Sequence, residues 1–385
     1  MTDLLKELDP PRLLPEWTPA ACVLIAWPTQ ESDWGPSYAA ITECYQAMLG
    51  KLAEAAPVVV LLHPTIDAAA WKTELEEKLL RDCELPTQDL DRASSAVRFP
   101  AKGELVRLLT SPRAINAIYV LRIAYNDTWI RDYGPLSMAN RLAGSGSLKA
   151  FAFNGWGGKY PANLDDRAAA AFADFAGASL VRETAVLEGG ALETDDAGNL
   201  LVNKDCIQTK SRGHSSSWLA TEKVLQDQLG VKHVYCIENV ALTNDDTDGH
   251  IDVLMRFLPS GDLVVSGENP EHHDRETLKA LNQQAEQLAG RLNKNLLRLP
   301  TPIVHSALDG RALPATYANF LFLNTQVFVP CYGVKEDRQA LQILEVALPD
   351  YRIVGVDASA LIEQHGSLHC ATMQIAELAL SPNGV

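Results

Sequence analysis

A cysteine near the C-terminal end of the sequence has the surroundings of a catalytic nucleophile. Cys370 closely follows the small residues Gly366 and Ser367, and we expect a short exposed turn to present its thiol. A single cysteine is a candidate nucleophile where a histidine and carboxylates can reach it in the folded chain. Free cysteines are more often buried core residues, so a catalytic role for Cys370 requires partners elsewhere in the sequence.

Three polar runs could supply those partners, and they occupy residues 126–132, 187–190 and 245–252. Their titratable candidates are one histidine and three carboxylates, namely His250, Asp132, Asp252 and Glu188. Each run also has an ordinary structural explanation, since aspartate is a common turn residue and glycine pairs mark many turns. It is the combination of the runs with the cysteine that favours a site.

We expect such a group of residues to bind a cation. Carboxylates are costly to ionise close together unless a positive charge neutralises them. A planar guanidinium suits this role because it donates several N–H groups to carboxylates in pairs. A thiolate could attack its central carbon and expel ammonia, with His250 donating a proton to the leaving nitrogen. Water would then hydrolyse the thiouronium intermediate, and a neighbouring cation would also favour the thiolate form of Cys370.

A metal-dependent hydrolase is the alternative that these residues leave open. The third polar run is dense in potential ligands, which are Asp245, Asp246, Asp248, His250 and Asp252. The spacing argues against zinc, because no second histidine lies at a usual ligand offset and the HExxH motif is absent. Seven widely spaced cysteines without a CxxC pair also argue against structural zinc and a disulfide framework. We expect His272 and His273, at the start of a predicted helix, to face the solvent.

The elements that position these runs repeat along the chain. Hydrophobic periodicity predicts strands at residues 21–27 and 58–62 and helices at residues 37–56 and 67–81. A pattern of two strands, a helix and a third strand then recurs four times. The predicted hairpins pair residues 133–138 with 148–153, 190–194 with 199–203, 250–258 with 262–266, and 317–323 with 327–330. The helices and third strands that follow lie at residues 165–175 and 179–184, 215–229 and 232–237, 270–292 and 295–299, and 335–348 and 351–356.

Polar positions recur with the same pattern. Asp132, Glu188, His250, Tyr317 and Cys370 follow one another at intervals of 53 to 67 residues. Repeated units bury a shared core, and units arranged around a pseudo-symmetry axis would bring these positions together at its centre. We predict that the N-terminal hundred residues form a fifth, more divergent unit. No linker interrupts the pattern, so we predict a single domain over residues 1–385.

Composition excludes several classes of protein. Hydrophobic residues make up 47% and charged residues 21% of the 385, as in soluble globular proteins. The apolar runs fall far short of the roughly 18 residues that a membrane span needs, and residues 1–12 lack the apolar segment of a signal peptide. We therefore predict a cytoplasmic protein without membrane contact. The net charge of −16 argues against nucleic acid as a partner and is consistent with a small cationic substrate.

Five motifs occur in order at residues 126–132 (NDTWIRD), 153–158 (FNGWGG), 187–190 (LEGG), 247–252 (TDGHID) and 368–370 (LHC). Three N-terminal segments precede them, at residues 15–17 (PEW), 26–28 (AWP) and 33–34 (DW). Together they resemble the motifs of agmatine deiminase and its bacterial peptidylarginine deiminase relatives. The resemblance covers nearly the whole chain, and although each motif alone is weak, their order is specific.

The resemblance implies a fold and a set of catalytic roles. The family belongs to the guanidine-modifying superfamily, whose α/β fold is a five-bladed propeller (pentein) of repeated ββαβ units around a central active site. Carried over by motif, Cys370 resembles the nucleophile that forms an amidino-cysteine intermediate, and His250 resembles the general acid and base. Asp132 and Asp252 resemble the carboxylates that grip the guanidinium, and Glu188 resembles the residue that orients the imidazole.

The resemblance also implies contacts with the substrate. Trp129 would lie against the guanidinium plane, and Asn319 would lie near the nucleophile. Trp156 is a further candidate, because its glycine-rich loop has a permissive backbone and loops often carry binding residues. Asp33 and Trp34 are candidates for the far amine of the substrate. No metal and no cofactor are implied, and a homodimer is a usual state for such an enzyme.

Agmatine is the substrate that the sequence favours. Residues 152–160 lack the arginine pair that would hold a C-terminal carboxylate, so we predict deimination of agmatine to N-carbamoylputrescine and ammonia, a reaction of polyamine (putrescine) biosynthesis. Two departures from the family flank the nucleophile. Gly366-Ser367 stands in place of Gly-Gly-Asn, and Thr372-Met373-Gln374 stands in place of Thr-Gln-Gln. Because of these two departures, a deiminase of arginine, peptidyl-arginine or another guanidino compound stays open as an alternative. The non-enzymatic alternative is a guanidine-binding module without activity.

Overall fold

The computed structural model describes residues 11–81, 116–140, 144–213 and 217–380 of the chain. These residues form a mixed α/β fold in which an antiparallel pair of strands, a helix and a parallel strand recur. A short hairpin can join antiparallel strands, whereas parallel strands need a longer crossover, which is a helix here. The order of elements that hydrophobic periodicity predicts is therefore confirmed.

Four such units follow one another after residue 130. The first has strands Leu136–Asn140, Ser145–Ala152 and Leu180–Val186, with helix Ala168–Ala176. The second has strands Glu193–Thr194, Asn199–Asn203 and His233–Ile237, with helix Trp218–Leu229. The third has strands Met255–Phe257, Leu263–Ser266 and Leu296–Leu299, with helix Arg275–Leu292. The fourth has strands Leu321–Leu323, Gln326–Cys331 and Arg352–Asp357, with helix Glu336–Ala347.

The two ends of the described chain build a further sheet of the same kind. Strand Met373–Ala376 pairs antiparallel with Ala20–Ala26, which pairs in parallel with Val58–Leu62, and Ile118–Arg122 completes the sheet. Helix Tyr38–Ala55 connects the first parallel pair. Strands Ala20–Ala26 and Val58–Leu62 are fully buried, as their nearly continuous apolar sequences predict for strands covered on both faces. Cys370 therefore lies three residues before a strand that packs beside the N-terminal segment.

The remaining elements are short. Strand Arg12–Leu13 adds to the edge of the sheet that contains Leu136–Asn140, and Val304–His305 pairs with Ala312–Leu313. Helix Ala68–Arg81 follows Val58–Leu62. Single helical turns occupy Ile130–Tyr133, Gly155–Gly158, Lys204–Ile207, Gly35–Ser37, Asp165–Arg167, Gly189–Ala191, Ile251–Val253, Ile362–Gln364 and Glu377–Leu380.

The predicted strands are wrong where they extend through the polar runs. Residues 190–192 and 250–254 form tight turns, and the strands begin only at Glu193 and Met255. The backbone explains the second turn, because Ile251–Val253 form a single helical turn and Leu254, with φ −107° and ψ −53°, also has a helical conformation, which no strand accommodates. Tyr317 likewise precedes its strand, which begins at Leu321.

Two sequence interpretations fall partly outside the described residues. The segment 104–122, which its apolar spacing assigns to neither helix nor strand, is described only from residue 116 and contains the strand Ile118–Arg122. The irregular segment predicted at residues 83–100 lies outside the described residues.

In the described part of the chain, no helix combines the length and apolar character that crossing a membrane requires.

Candidate functional site

One cavity brings most of the candidate residues together. Its volume is about 640 Å³, including the open mouth. The predicted site residues that line it are Cys370, His250, Asp132, Trp129, Trp156, Asp33 and Trp34. Glu188, Asp252 and Asn319 do not line it and are fully buried. The cavity therefore has a wall of predicted residues and a second layer of polar groups in the protein interior.

The imidazole of His250 is held by two carboxylates. Its Nε2 lies 3.2 Å from Oε2 of Glu188, and its Nδ1 lies 3.5 Å from Oδ1 of Asp132 without forming a hydrogen bond. Burial alone would lower the pKa of His250, but Asp132, Cys206 and Glu188 raise it well above its usual value. The structure thus favours the protonated imidazole, whose Nδ1–H has no acceptor among the described residues.

Glu188 owes its orientation to an arginine that the sequence did not reveal as a site residue. Nε of Arg212 lies 2.9 and 2.8 Å from the two carboxylate oxygens, and both side chains are buried. Arg212 also donates to Asp248 and to the carbonyl oxygen of Thr247. Burial alone would raise the pKa of Glu188, but His250 and Arg212 hold it below its usual value. Glu188 is therefore an ionised, buried partner of the imidazole.

Asp132 is fixed by a backbone amide and an indole. Its Oδ1 accepts the N–H of Gly190 at 3.0 Å, and its Oδ2 accepts the Nε1–H of Trp156 at 2.9 Å. A Cβ atom on Gly190 would lie 2.6 Å from Nδ1 of His250 and 2.8 Å from Oδ1 of Asp132. Gly190 is therefore required by the close approach of its backbone to two site residues, whereas a Cβ atom on Gly189 would lie 2.1 Å from the carbonyl oxygen of Arg131.

Trp156 occupies an unusual backbone conformation. Its φ is 54°, in the left-handed region that large side chains rarely adopt, and glycines with positive φ surround it. Its ring packs edge-on against Phe153 and Tyr160. The predicted irregular loop is confirmed. Trp156 lines the cavity as predicted for a substrate contact, and it also orients Asp132.

Cys370 lies in the interior rather than on an exposed turn. The side chain is 6% exposed, and its Sγ lies 3.4 and 3.5 Å from Nδ2 and Oδ1 of Asn319. Its carbonyl oxygen accepts the N–H of Arg131, which ties the nucleophile to the turn that carries Asp132. Burial, reinforced by Asp252 and Asp132, raises the pKa of Cys370 well above its usual value. The exposed turn expected from the sequence is thus wrong, because the segment packs beneath the cavity.

Asp252 lies behind the cavity and is completely buried. Its Oδ2 lies 2.7 Å from Nδ1 of His369, whereas its Oδ1 has no hydrogen-bond partner. Burial alone would raise the pKa of Asp252, but His369, together with His250 and Arg256, keeps it below its usual value. One oxygen of an ionised carboxylate thus remains available.

Two aromatic rings form one side of the cavity. The ring centroids of Trp34 and Trp129 lie 5.7 Å apart. Nε1 of Trp34 donates to Oγ1 of Thr128 at 3.2 Å. A Cβ atom on Gly366 would lie 2.4 Å from the Trp129 ring. Trp129 is therefore pressed against the backbone just before the nucleophile, and Trp34 supports it.

Other carboxylates also line the cavity. They include Asp33, which the sequence predicted, and Asp127, Asp245 and Asp246, together with the polar residues Tyr160, Gln364 and His365. None of the described residues that line the cavity is lysine or arginine. Asp245 and Asp246 belong to a polar run that the sequence singled out, whereas His365 and Gln364 carry no sequence signal beyond their closeness to Cys370.

The described residues offer two candidate groups of metal ligands, and neither suits a metal ion well. In the described ranges, two groups place ligand-type atoms within 4.8 Å of one another, namely Glu188 with Cys206 and His250, and His272 with His273 and Asp274. In the first group, Arg212 already supplies a positive charge to both oxygens of Glu188, which disfavours a second cation. In the second group, His272 is buried and its Nδ1 accepts the N–H of Asp274. The expected solvent exposure of His272 is therefore wrong, because this nitrogen caps the start of the helix that follows.

Comparison with known proteins agrees with the geometry. Residues 12–376 match the model of the Porphyromonas-type peptidyl-arginine deiminase family. A Vibrio parahaemolyticus protein named "Putative agmatine deiminase" is 27% identical over 384 residues, which cover 94% of this chain and 95% of that protein. A solved structure described as "a putative peptidyl-arginine deiminase" is 32% identical, has a TM-score of 0.78 and covers 95% of this chain and 99% of its own. The agmatine deiminase of C. jejuni is 25% identical, with a TM-score of 0.76 and coverage of 95% and 96%.

Proposed function

Because the chain belongs to the Porphyromonas-type peptidyl-arginine deiminase family, we propose that it hydrolyses agmatine to N-carbamoylputrescine and ammonia. It is an enzyme that deiminates a guanidino group, as the family and its agmatine deiminase relatives indicate. Agmatine as the substrate, the covalent intermediate and the roles of individual residues are our proposal.

The observation that carries the proposal is a pair of buried polar atoms without hydrogen-bond partners. Nδ1 of His250 and Oδ1 of Asp252 both lack a partner among the described residues. An unpaired buried polar group costs about 1–3 kcal/mol, and such groups call for an explanation in the native structure. A guanidinium beside Cys370 would supply N–H donors to Asp252, and once Cys370 has attacked the carbon, the leaving nitrogen would gain a lone pair that accepts the Nδ1–H of His250.

The reaction then proceeds in two steps. The Cys370 thiolate attacks the guanidinium carbon, and His250 gives a proton from Nδ1 to one amino nitrogen, which leaves as ammonia and breaks its C–N bond. The product is a cationic thiouronium on Sγ. Neutral His250 next removes one proton from water, whose oxygen attacks the same carbon; the C–S bond then breaks to release the thiolate, and the remaining hydroxyl proton passes to solvent, where ammonia takes it up, which leaves the neutral carbamoyl product. Asp132 and Asp252 hold the remaining guanidinium nitrogens throughout.

Substrate binding also explains how a buried thiol can ionise. Asp132 and Asp252 raise the pKa of Cys370 in the free enzyme. A guanidinium between these carboxylates offsets their charge and so favours the thiolate. The nucleophile would therefore form when its substrate is in place.

The charge of the cavity favours agmatine within the family. Asp33, Asp127, Asp245 and Asp246 line the cavity without a lysine or arginine among its described lining residues. A second positive charge on the substrate would be attracted there, whereas the carboxylate of arginine would be repelled. The names of the Vibrio parahaemolyticus and C. jejuni relatives support the same substrate.

We propose that the recurring units form a five-bladed α/β propeller and a single domain. The support is that five three- or four-stranded sheets have the same order of antiparallel and parallel pairing. Asp132, Glu188, His250 and Cys370 lie just before strands of four different sheets, as they would near a common axis. A cytoplasmic location and a homodimer stay predictions of the sequence.

Ammonia release from agmatine, arginine and a peptide with C-terminal arginine tests the proposal, with and without prior iodoacetamide. We expect release from agmatine alone, its loss after alkylation, and no turnover by the folded Cys370→Ala variant. Cys236→Ser is the matched control, because Cys236 is exposed and its loss should leave both activity and its inhibition intact. Ammonia release from another guanidine would support the cysteine mechanism but contradict agmatine as the substrate. Activity that survives alkylation and is lost to a chelator would contradict the mechanism.

A further inference from the structure

Three polar side chains from distant parts of the sequence meet behind the cavity. Nδ1 of His369 lies 2.7 Å from Oδ2 of Asp252, and Nε2 of the same ring lies 2.5 Å from Oε2 of Glu16. All three residues are buried. Glu16 follows the first described strand, whereas His369 immediately precedes the nucleophile.

The imidazole in this group faces a carboxylate at each nitrogen. A neutral imidazole has one N–H, so its other nitrogen would present a lone pair to a carboxylate lone pair. Only the imidazolium donates to both carboxylates at once. Burial alone would raise the pKa of Glu16, but Arg256 and His369 hold it far below its usual value, which is consistent with an ionised Glu16.

Glu16 is itself held in place by groups that do not belong to the cavity. Nη2 of Arg256 donates to its Oε2 at 2.8 Å, and the N–H of Phe322 donates to its Oε1 at 2.6 Å. Nη1 of Arg131 lies 3.9 Å from Oε2. A carboxylate with so many fixed partners offers His369 a rigid anchor.

His369 also links the anchor to the nucleophile. Its backbone N–H donates to Oδ1 of Asn319 at 2.9 Å, and the same amide side chain contacts Sγ of Cys370. The ring nitrogen Nδ1 contacts Oδ2 of Asp252 and leaves Oδ1 without a partner. A rotation of the His369 ring would thus release Asp252, whereas the backbone of the same residue holds the neighbour of Cys370.

We propose that Glu16 and His369 are positioning residues for the deimination: Glu16 holds the His369 ring, which aims Oδ1 of Asp252 at the substrate guanidinium. This inference rests on the proposed function, because the guanidinium is its target. Neither residue touches the substrate. The PEW segment at residues 15–17 thus contributes to the site through its glutamate, although no residue of that segment lines the cavity.

Glu16→Gln and Glu193→Gln form a matched pair of variants. Glu193 is similarly buried and accepts Nε of the same Arg256 at 2.7 Å, but the ring nitrogens of His369 bind Asp252 and Glu16 instead of Glu193. Both changes remove one carboxylate from Arg256, so both should lower the melting temperature. Only Glu16→Gln should lower kcat/KM for agmatine, by about tenfold to a hundredfold, and mainly through KM, because Asp252 binds the guanidinium. Equal losses in the two variants, or an unchanged kcat/KM in Glu16→Gln, would overturn the proposal.

The ¹⁵N spectrum of the imidazoles separates this idea from the proposed function. The ring that disappears in His369→Gln should show both nitrogens hydrogen-bonded in the wild-type protein, and its Nε2 resonance should change in Glu16→Gln but not in Glu193→Gln. A wild-type ring in which either nitrogen lacks a hydrogen bond would overturn the positioning role even if Glu16→Gln fails to fold. A His369 ring that is hydrogen-bonded at both nitrogens, in a protein that hydrolyses no guanidine, would support the positioning role and contradict the proposed function instead.

Discussion

Arg212 holds both carboxylate oxygens of Glu188 through a single nitrogen, at 2.9 and 2.8 Å, in the interior of the protein. The same carboxylate lies 3.2 Å from Nε2 of His250. The orientation of the proposed acid and base therefore depends on a residue that does not line the cavity. Since Nδ1 of His250 is the atom left for the substrate, a shift of Glu188 would move that atom away from the leaving nitrogen.

Replacement of Arg212 by lysine should lower kcat for agmatine by about tenfold to a hundredfold, because an ammonium cannot reproduce the planar donors of a guanidinium. Lys159→Met is the matched control. Lys159 binds the other oxygen of Asp248 at 2.7 Å without contacting Glu188, so this variant disturbs the same aspartate on the other side. Steady-state kinetics measure kcat for agmatine in both variants. An equal loss of kcat in the two variants would assign the effect to Asp248.

Gly366 should not tolerate alanine, although its φ is not positive. The added Cβ would lie 2.4 and 2.5 Å from ring carbons of Trp129, so the ring must move away from the position proposed for the guanidinium. We expect at least a tenfold increase in KM for agmatine with unchanged secondary structure. Gly290→Ala provides the comparison, because nothing lies within 4 Å of its Cβ position in the helix Arg275–Leu292. It should leave KM unchanged and, by removing a helical glycine, leave stability equal or raise it by up to about 1 kcal/mol.

Asp132→Asn should have opposite effects on turnover and on thiol reactivity. Asp132 raises the pKa of Cys370, so its neutralisation should increase the thiolate fraction and speed alkylation by iodoacetamide severalfold at pH 7.5. Turnover of agmatine should be lost, because one of the two guanidinium carboxylates is gone. Mass spectrometry of the peptide that contains Cys370 measures the rate of its alkylation. Trp156→Phe removes a hydrogen bond from Asp132 and keeps its charge, so its alkylation rate should stay near that of the wild type. Faster alkylation in both variants would indicate opening of the site rather than a charge effect.

Much of the fold and the central site could be predicted from sequence because local signals carry them. Strand alternation and hairpin turns set the order of elements, and His250, Asp132 and Cys370 recur with the repeat. The roles of Glu16 and Arg212 could not be predicted. Arg212 lies 24 residues from its partner Glu188, and no spacing relates the two. Glu16 and His369 are separated by 353 residues, and their contact exists only because the two ends of the described chain share a sheet.

The turn that carries the site should respond to the protonation of Asp165. Oδ1 of this residue accepts the N–H groups of Asn126 and Asp127 at 2.6 and 3.2 Å, and its Oδ2 is buried without a partner. Burial, partly offset by these two hydrogen bonds, raises the pKa of Asp165 to about 7. A folded-state pKa above the unfolded value means that this group stabilises the fold at acidic pH. That contribution is lost as the pH rises from about 4 through 7.

Asp165→Asn keeps the accepting Oδ1 and carries no titratable proton. Its stability relative to the wild type should therefore increase between pH 5 and pH 8, at about 1.4 kcal/mol for each pH unit over which the wild-type carboxyl is protonated only in the folded state. Urea unfolding at the two pH values measures the difference. A relative stability that stays constant would show that the carboxylate is already ionised in the fold at pH 5. In that case Asn126 and Asp127 would be held by a charged acceptor across this whole pH range, and the rigidity of the turn before Asp132 would not change with pH.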